Sequence, residues 1–150
     1  MRRTLTIAKR EFVGYFNGPS AYIVISLFMV LMGVFFWNPF FLINRASVRS
    51  MFDMMSVLLL PTAPAMTMAL LAEEKRTGTI EVLLTMPIKD SEVILGKFLG
   101  AVGLLCVLLL LTMPYAISVS TLGQLDWGPV ITGYLAVFLQ GSAMLAIGVL

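Results

Sequence analysis

Long uncharged apolar runs alternate with short charged or turn-forming breaks, and their lengths set the element count. A helix needs about 20 mostly apolar residues to cross a hydrocarbon core about 30 Å thick. Four segments reach or approach that length. The first covers 21–43. Ser20 can cap its start behind the Asn17-Gly18-Pro19 break, Trp37 stands where an interfacial aromatic belongs, and Asn38-Pro39 is expected to interrupt the helix. The second covers 51–72 and contains Pro61 and Pro64. Each proline removes a backbone donor and favours a kink, and in a bilayer the freed carbonyls must be satisfied by neighbours, so this span belongs inside the bundle. The third covers 98–119, where Leu99, Leu104, Leu105 and Leu108 through Leu111 each favour insertion by about 0.3–0.6 kcal/mol. Pro114 lies near its far end. The fourth, 130–150, follows the turn Asp126-Trp127-Gly128-Pro129 and has no polar flank after it, so the chain is expected to stop short of its natural end.

Ahead of these spans, residues 3–17 place Leu5, Ala8, Phe12 and Tyr15 or Phe16 at helical spacing beside Arg2, Arg3, Lys9 and Arg10. That pattern predicts an amphipathic helix in the membrane interface, with a disordered basic tail as the plainer alternative. The predicted fold is therefore all-α: a polytopic membrane helix bundle with an N-terminal interfacial helix and four transmembrane helices.

Composition agrees. The chain is 59% hydrophobic and 12% charged, against roughly 25% charged residues in soluble domains. Half the usual charge cannot coat a soluble surface. The apolar run is longer than the 7–15 residues of a secretory leader, and no small-x-small cleavage site follows it. The net charge of +2 carries no basic excess of the kind nucleic acid attracts. One cysteine, Cys106, excludes an intramolecular disulfide, and the lack of histidine removes His-based acid–base chemistry and most zinc chemistry. Charge placement is more telling than charge total. Arg2, Arg3, Lys9 and Arg10 precede the first span, and Lys75, Arg76, Lys89 and Lys97 lie between the second and third. Only Arg45 and Arg49 fall on the other side. By the positive-inside rule the N-terminus and the 73–97 loop are cytoplasmic, as in a multi-pass protein of a bacterial or archaeal inner membrane.

The 73–97 loop holds half of the chain's charges. Gly78 breaks the preceding helix. Thr79 can cap a short new one, with Glu81 in its first turn, where the helix dipole favours an anion. Ile80, Leu83 and Leu84 share a face, and Pro87 ends the helix. Asp90 or Ser91 then caps the helix of the third span. An apolar face of this kind either rests on its own bundle or the lipid surface, or docks a soluble partner.

The sequence resembles the permease subunits of type 2 ABC transporters. The resemblance rests on Pro64-Ala65-Met66-Thr67-Met68, on Glu73-Glu74-Lys75-Arg76, on Gly78-Thr79-Ile80-Glu81-Val82-Leu83-Leu84-Thr85-Met86-Pro87, and on Val93-Ile94-Leu95-Gly96-Lys97, in that order and spacing. It implies six spans in a complete chain and two permease halves per complex, a second copy or a paralogue. It also implies that Thr79 through Leu84 form a coupling helix in a cleft of a separate cytoplasmic ATPase subunit. Glu73, Glu74, Arg76, Gly78 and Pro87 flank that helix. ATP and magnesium then belong to the ATPase partner, and this chain needs no cofactor or metal of its own.

The remaining patterns fit that reading. No G-x-x-x-x-G-K-[ST] phosphate loop occurs, so any ATP is handled by another polypeptide. Gly96, Gly100 and Gly103 predict a close helix–helix contact, within the subunit or at a dimer seam. The methionines of the second span, Met51, Met54, Met55, Met66 and Met68, read as adaptable packing rather than soft-metal ligands. Asp53, one turn after Arg49, reads as half of an exposed ion pair of little energetic weight. The function expected is that of the transmembrane subunit of an ATP-driven exporter, with no catalytic residue. The alternative is a membrane anchor or assembly factor that tethers a partner without transport, and an ion channel is disfavoured by the lack of charge along the spans.

Overall fold

The computed structural model describes residues 2–43, 48–77, 90–124 and 126–149, almost all of them α-helical. Five helices follow in order among the described residues: α1 (Arg2–Asn17), α2 (Pro19–Ile43), α3 (Val48–Thr77), α4 (Asp90–Leu122) and α5 (Trp127–Val149). The last four are each long and apolar enough to cross a membrane. The chain is a polytopic helical membrane protein.

The helix boundaries have local causes. Only Gly18 separates α1 from α2, its N–H bonding the Gly14 carbonyl at 3.3 Å. Pro19 opens α2 at the first helical position, where a missing N–H costs nothing. The helix thus begins one residue ahead of the expected Ser20 cap. Asn38-Pro39 does not interrupt α2, which continues to Ile43. Pro39 leaves only the Phe35 carbonyl without its helical donor, and the neighbouring Val34 carbonyl accepts from the Asn38 side-chain amide at 2.9 Å. Where water cannot compete for the backbone, one lost bond does not unwind a helix. At α5 the Asp126 carboxylate accepts from the Gly128 N–H at 3.4 Å, capping a helix that starts at Trp127, earlier than the 130 expected.

Helix directions follow from paired positions. Gly133 and Gly148 of α5 abut Phe52 and Thr67 of α3, so these two helices run parallel. Gly141 abuts Leu105 while Tyr134 bonds Thr112, so α5 runs antiparallel to α4. The end of α3 and the start of α4 consequently emerge at one end of the bundle, and the starts of α3 and α5 at the other. The core between them is apolar. Phe28, Met32, Met51, Met55, Leu59, Met66, Leu104, Leu105, Leu108 and Leu145 are all fully buried. As expected for adaptable packing, Met51, Met55 and Met66 fill the interior side of α3, whereas Met68 faces outward and is 69% exposed. That helix lies between α2 and α5, although Pro61 and Pro64 themselves point outward.

Candidate functional site

The two helices joined by the charged segment are both longer than a hydrocarbon core is thick. With 33 residues, α4 is about 50 Å long, well beyond the roughly 30 Å of a hydrocarbon core. The apolar part of α3 is Val48–Ala69, so its last turns continue past the span. Glu73, Glu74 and Arg76 sit on those turns, within the helix. Gly78, Thr79, Ile80, Glu81, Leu83, Leu84 and Pro87 lie outside the described residues. The segment joining the two helices, 78–89, leaves from Thr77 and returns at Asp90.

The first turns of α4 carry the glycines, and their partner is α1. A Cβ at Gly96 would meet Ile7 Cβ at 2.8 Å. One at Gly100 would meet Glu11 Cβ at 2.8 Å, with the Ala8 carbonyl and Phe12 nitrogen at 3.5 Å. One at Gly103 would meet the Phe12 ring at 2.8 Å. Ordinary carbon contacts are about 3.5–4.0 Å. Only hydrogen fits at these positions, so the backbones of α1 and α4 approach closely. The predicted close contact is thus within the subunit. The order Ile7, Glu11, Phe12 against Gly96, Gly100, Gly103 also sets α1 running in the same direction as α4.

This contact changes what covers the amphipathic helix. Its inner side, Ile7, Ala8, Phe12 and Tyr15, packs on the bundle, and Phe12 stacks obliquely on Phe16 at 5.2 Å. Leu5, grouped with the apolar face by its spacing, is instead 63% exposed beside Lys9, Arg10 and Val13. The spacing of apolar residues placed the helix correctly but could not show the glycine face that receives it.

Polar ties hold α4 to its other neighbours. The buried Thr112 hydroxyl bonds the Leu109 carbonyl at 2.6 Å and the Tyr134 hydroxyl of α5 at 3.2 Å. Tyr115 donates to the Met29 carbonyl of α2 at 3.3 Å, and its ring meets Phe36 edge-on at 5.9 Å. The sequence reading missed these pairs, and it also missed Gly133, Gly141 and Gly148. Those three recur at seven- and eight-residue intervals, a signal of helical close approach that was present in α5 but went unread. Together these contacts make α4 a rod gripped by α1 near its start and by α2 and α5 further along.

At the opposite end, the starts of α3 and α5 and the turn before α5 enclose an open cavity of about 750 Å³. Arg49 and Asp53 line it, both exposed.

In comparisons with known proteins, a family model described as ABC-2 family transporter protein matches residues 41–150, well over half of the chain. No curated protein and no solved structure matches.

Proposed function

The chain belongs to the ABC-2 family of transporter proteins and is a membrane permease component of an ABC transporter; from that premise we propose that its 78–89 segment couples ATP hydrolysis in a separate ATPase subunit to export or to conformational work across the membrane. The observation that carries the reading is the shared anchoring of this segment. It joins the end of α3, which continues past its apolar part, to the start of α4, and α4 is gripped by α1 within two turns of Asp90. An ATPase that closes on nucleotide would move the segment, and a packed bundle with discrete contacts answers such a push by switching between arrangements rather than by bending smoothly. Glu73, Glu74, Arg76, Gly78, Thr79, Ile80, Glu81, Leu83, Leu84 and Pro87 form the docking surface in this account. ATP and magnesium stay with the partner, and a second permease completes the complex. The charged end, with α1, faces the cytoplasm. The charge count supports that orientation: eight of the ten Lys and Arg residues lie at this end.

The test is ATP hydrolysis by the ATPase subunit, alone and reconstituted with the full-length permease in nanodiscs. The wild type should stimulate hydrolysis. Glu81→Lys and Leu83→Pro should abolish stimulation while leaving the permease folded. Equal stimulation by both variants would refute coupling through this segment, and a stable complex without any stimulation would favour the anchor.

A further inference from the structure

The cavity at the opposite end has chemistry that the coupling account does not use. It lies between the first turns of α3 and α5 and is lined by Arg49, Phe52, Asp53, Gln124, Asp126 and Thr132. Its volume, about 750 Å³, falls within the roughly 300–1,000 Å³ of small-molecule sites. Its walls mix charges of both signs, an amide and a hydroxyl with the Phe52 ring.

Depth narrows the choice of occupant. The apolar windows of α3 and α5 begin at Val48 and Trp127, so the cavity opens where both helices enter hydrocarbon. Trp127 is 52% exposed there, in the position an aromatic takes at headgroup level. A cavity at that depth meets lipid headgroups at their high concentration in the membrane. Charge narrows it further. Arg49 and Asp53 are four residues apart on one helix, which sets their Cβ atoms about 5–6 Å apart. A guanidinium matches a phosphate by paired hydrogen bonds, and a carboxylate matches an ammonium. Zwitterionic phospholipids carry just these two groups, joined through a two-carbon linker. Gln124 adds a neutral donor for phosphate oxygens, and Asp126 adds a second carboxylate for the amine. Phe52 supplies an apolar wall beside the glycerol backbone.

We propose that the cavity between the starts of α3 and α5 binds the headgroup of a zwitterionic phospholipid, with Arg49 on the phosphate and Asp53 on the ammonium. This site stands or falls independently of the 78–89 segment, which leaves the bundle at its other end.

The test is binding of short-chain phosphatidylethanolamine to the purified full-length protein in uncharged micelles, read by native mass spectrometry. Phosphatidylglycerol, diacylglycerol and free phosphoethanolamine serve as comparators. The wild type should bind phosphatidylethanolamine at least tenfold more tightly than phosphatidylglycerol, which lacks the amine, and than diacylglycerol, which lacks both charges. Arg49→Gln should reduce the preference over diacylglycerol, and Asp53→Asn should remove the preference over phosphatidylglycerol. Both side chains are exposed, so neither change disturbs the core. Ala136→Leu, which narrows the cavity without altering a charge, should also weaken phosphatidylethanolamine. Equal binding of the three lipids, or preferences unchanged in the two charge variants, would overturn the proposal. Free phosphoethanolamine binding as tightly as the lipid would overturn the assignment to a membrane lipid.

Discussion

Substituting Gly100 by alanine isolates the contact on which the gripping of α4 depends. In an open helix position, Gly→Ala gains about 1 kcal/mol through helix propensity. Gly14 offers that reference, because nothing approaches within 4 Å of a Cβ built there. At Gly100 the same gain meets a clash. The new methyl would lie 2.8 Å from Glu11 Cβ, about 1 Å inside an ordinary carbon contact. Glu11 Cβ is fixed by its backbone, so no rotamer change relieves the overlap and α1 must shift as a body. Overpacking of this kind costs about 1–3 kcal/mol. The propensity term is common to both substitutions and cancels in their difference. Gly100→Ala should therefore be less stable than Gly14→Ala by about 1–3 kcal/mol, a factor of roughly 5 to 150 in the unfolding equilibrium. Equilibrium unfolding in mixed detergent micelles measures both. If the two variants are equally stable, α1 does not pack on the glycines of α4 and the argument fails.

Two further outcomes follow from the same structure. Thr112→Val and Tyr134→Phe should show a coupling energy of about 0.6 kcal/mol, and no more than about 1.7, in a double-mutant cycle, the range for hydrogen bonds between membrane helices; additive effects would mean the Thr112–Tyr134 bond is not formed. In a Cys106→Ser background, single cysteines at Lys9 and Lys75 should react with a membrane-impermeant thiol reagent from one face of sealed vesicles, and cysteines at Arg49 and Gln124 from the other. Labelling of Lys75 and Arg49 from the same face would contradict the crossing of the membrane by α3, whose two ends they mark.

Much of this architecture is legible in the residues. A run such as 98–119 can be little other than a membrane span, because length and apolarity alone decide the matter. Spacing alone also located the amphipathic helix at the N-terminus. Its partner was less accessible. The glycines at 96, 100 and 103 announce that some backbone comes close, but not which one, since sequence spacing describes one helix face at a time. The same limit hid the cavity between α3 and α5, which is assembled from residues more than 70 positions apart. Asn38-Pro39 misled for a different reason. Proline is weighed by its cost in water, whereas a helix in hydrocarbon keeps its hydrogen bonds because unwinding would expose several more. The loop motif was read from its ordered resemblance to type 2 permeases. Its physics alone left self-packing and partner docking equally open, because an apolar face does not name what covers it.

The central claim is that the segment between α3 and α4 touches the ATPase subunit and moves with it. Site-directed cross-linking tests it most directly. A single cysteine at position 81 or 84, in the Cys106→Ser permease, is exposed to a short bifunctional thiol reagent in the reconstituted complex, with and without ATP. The account predicts a cross-linked permease–ATPase pair from both positions, with a yield that changes on nucleotide addition, and none from a cysteine at Gln124 at the opposite end. Absence of cross-links from 81 and 84 in an active complex, or equal yields from 124, would contradict it.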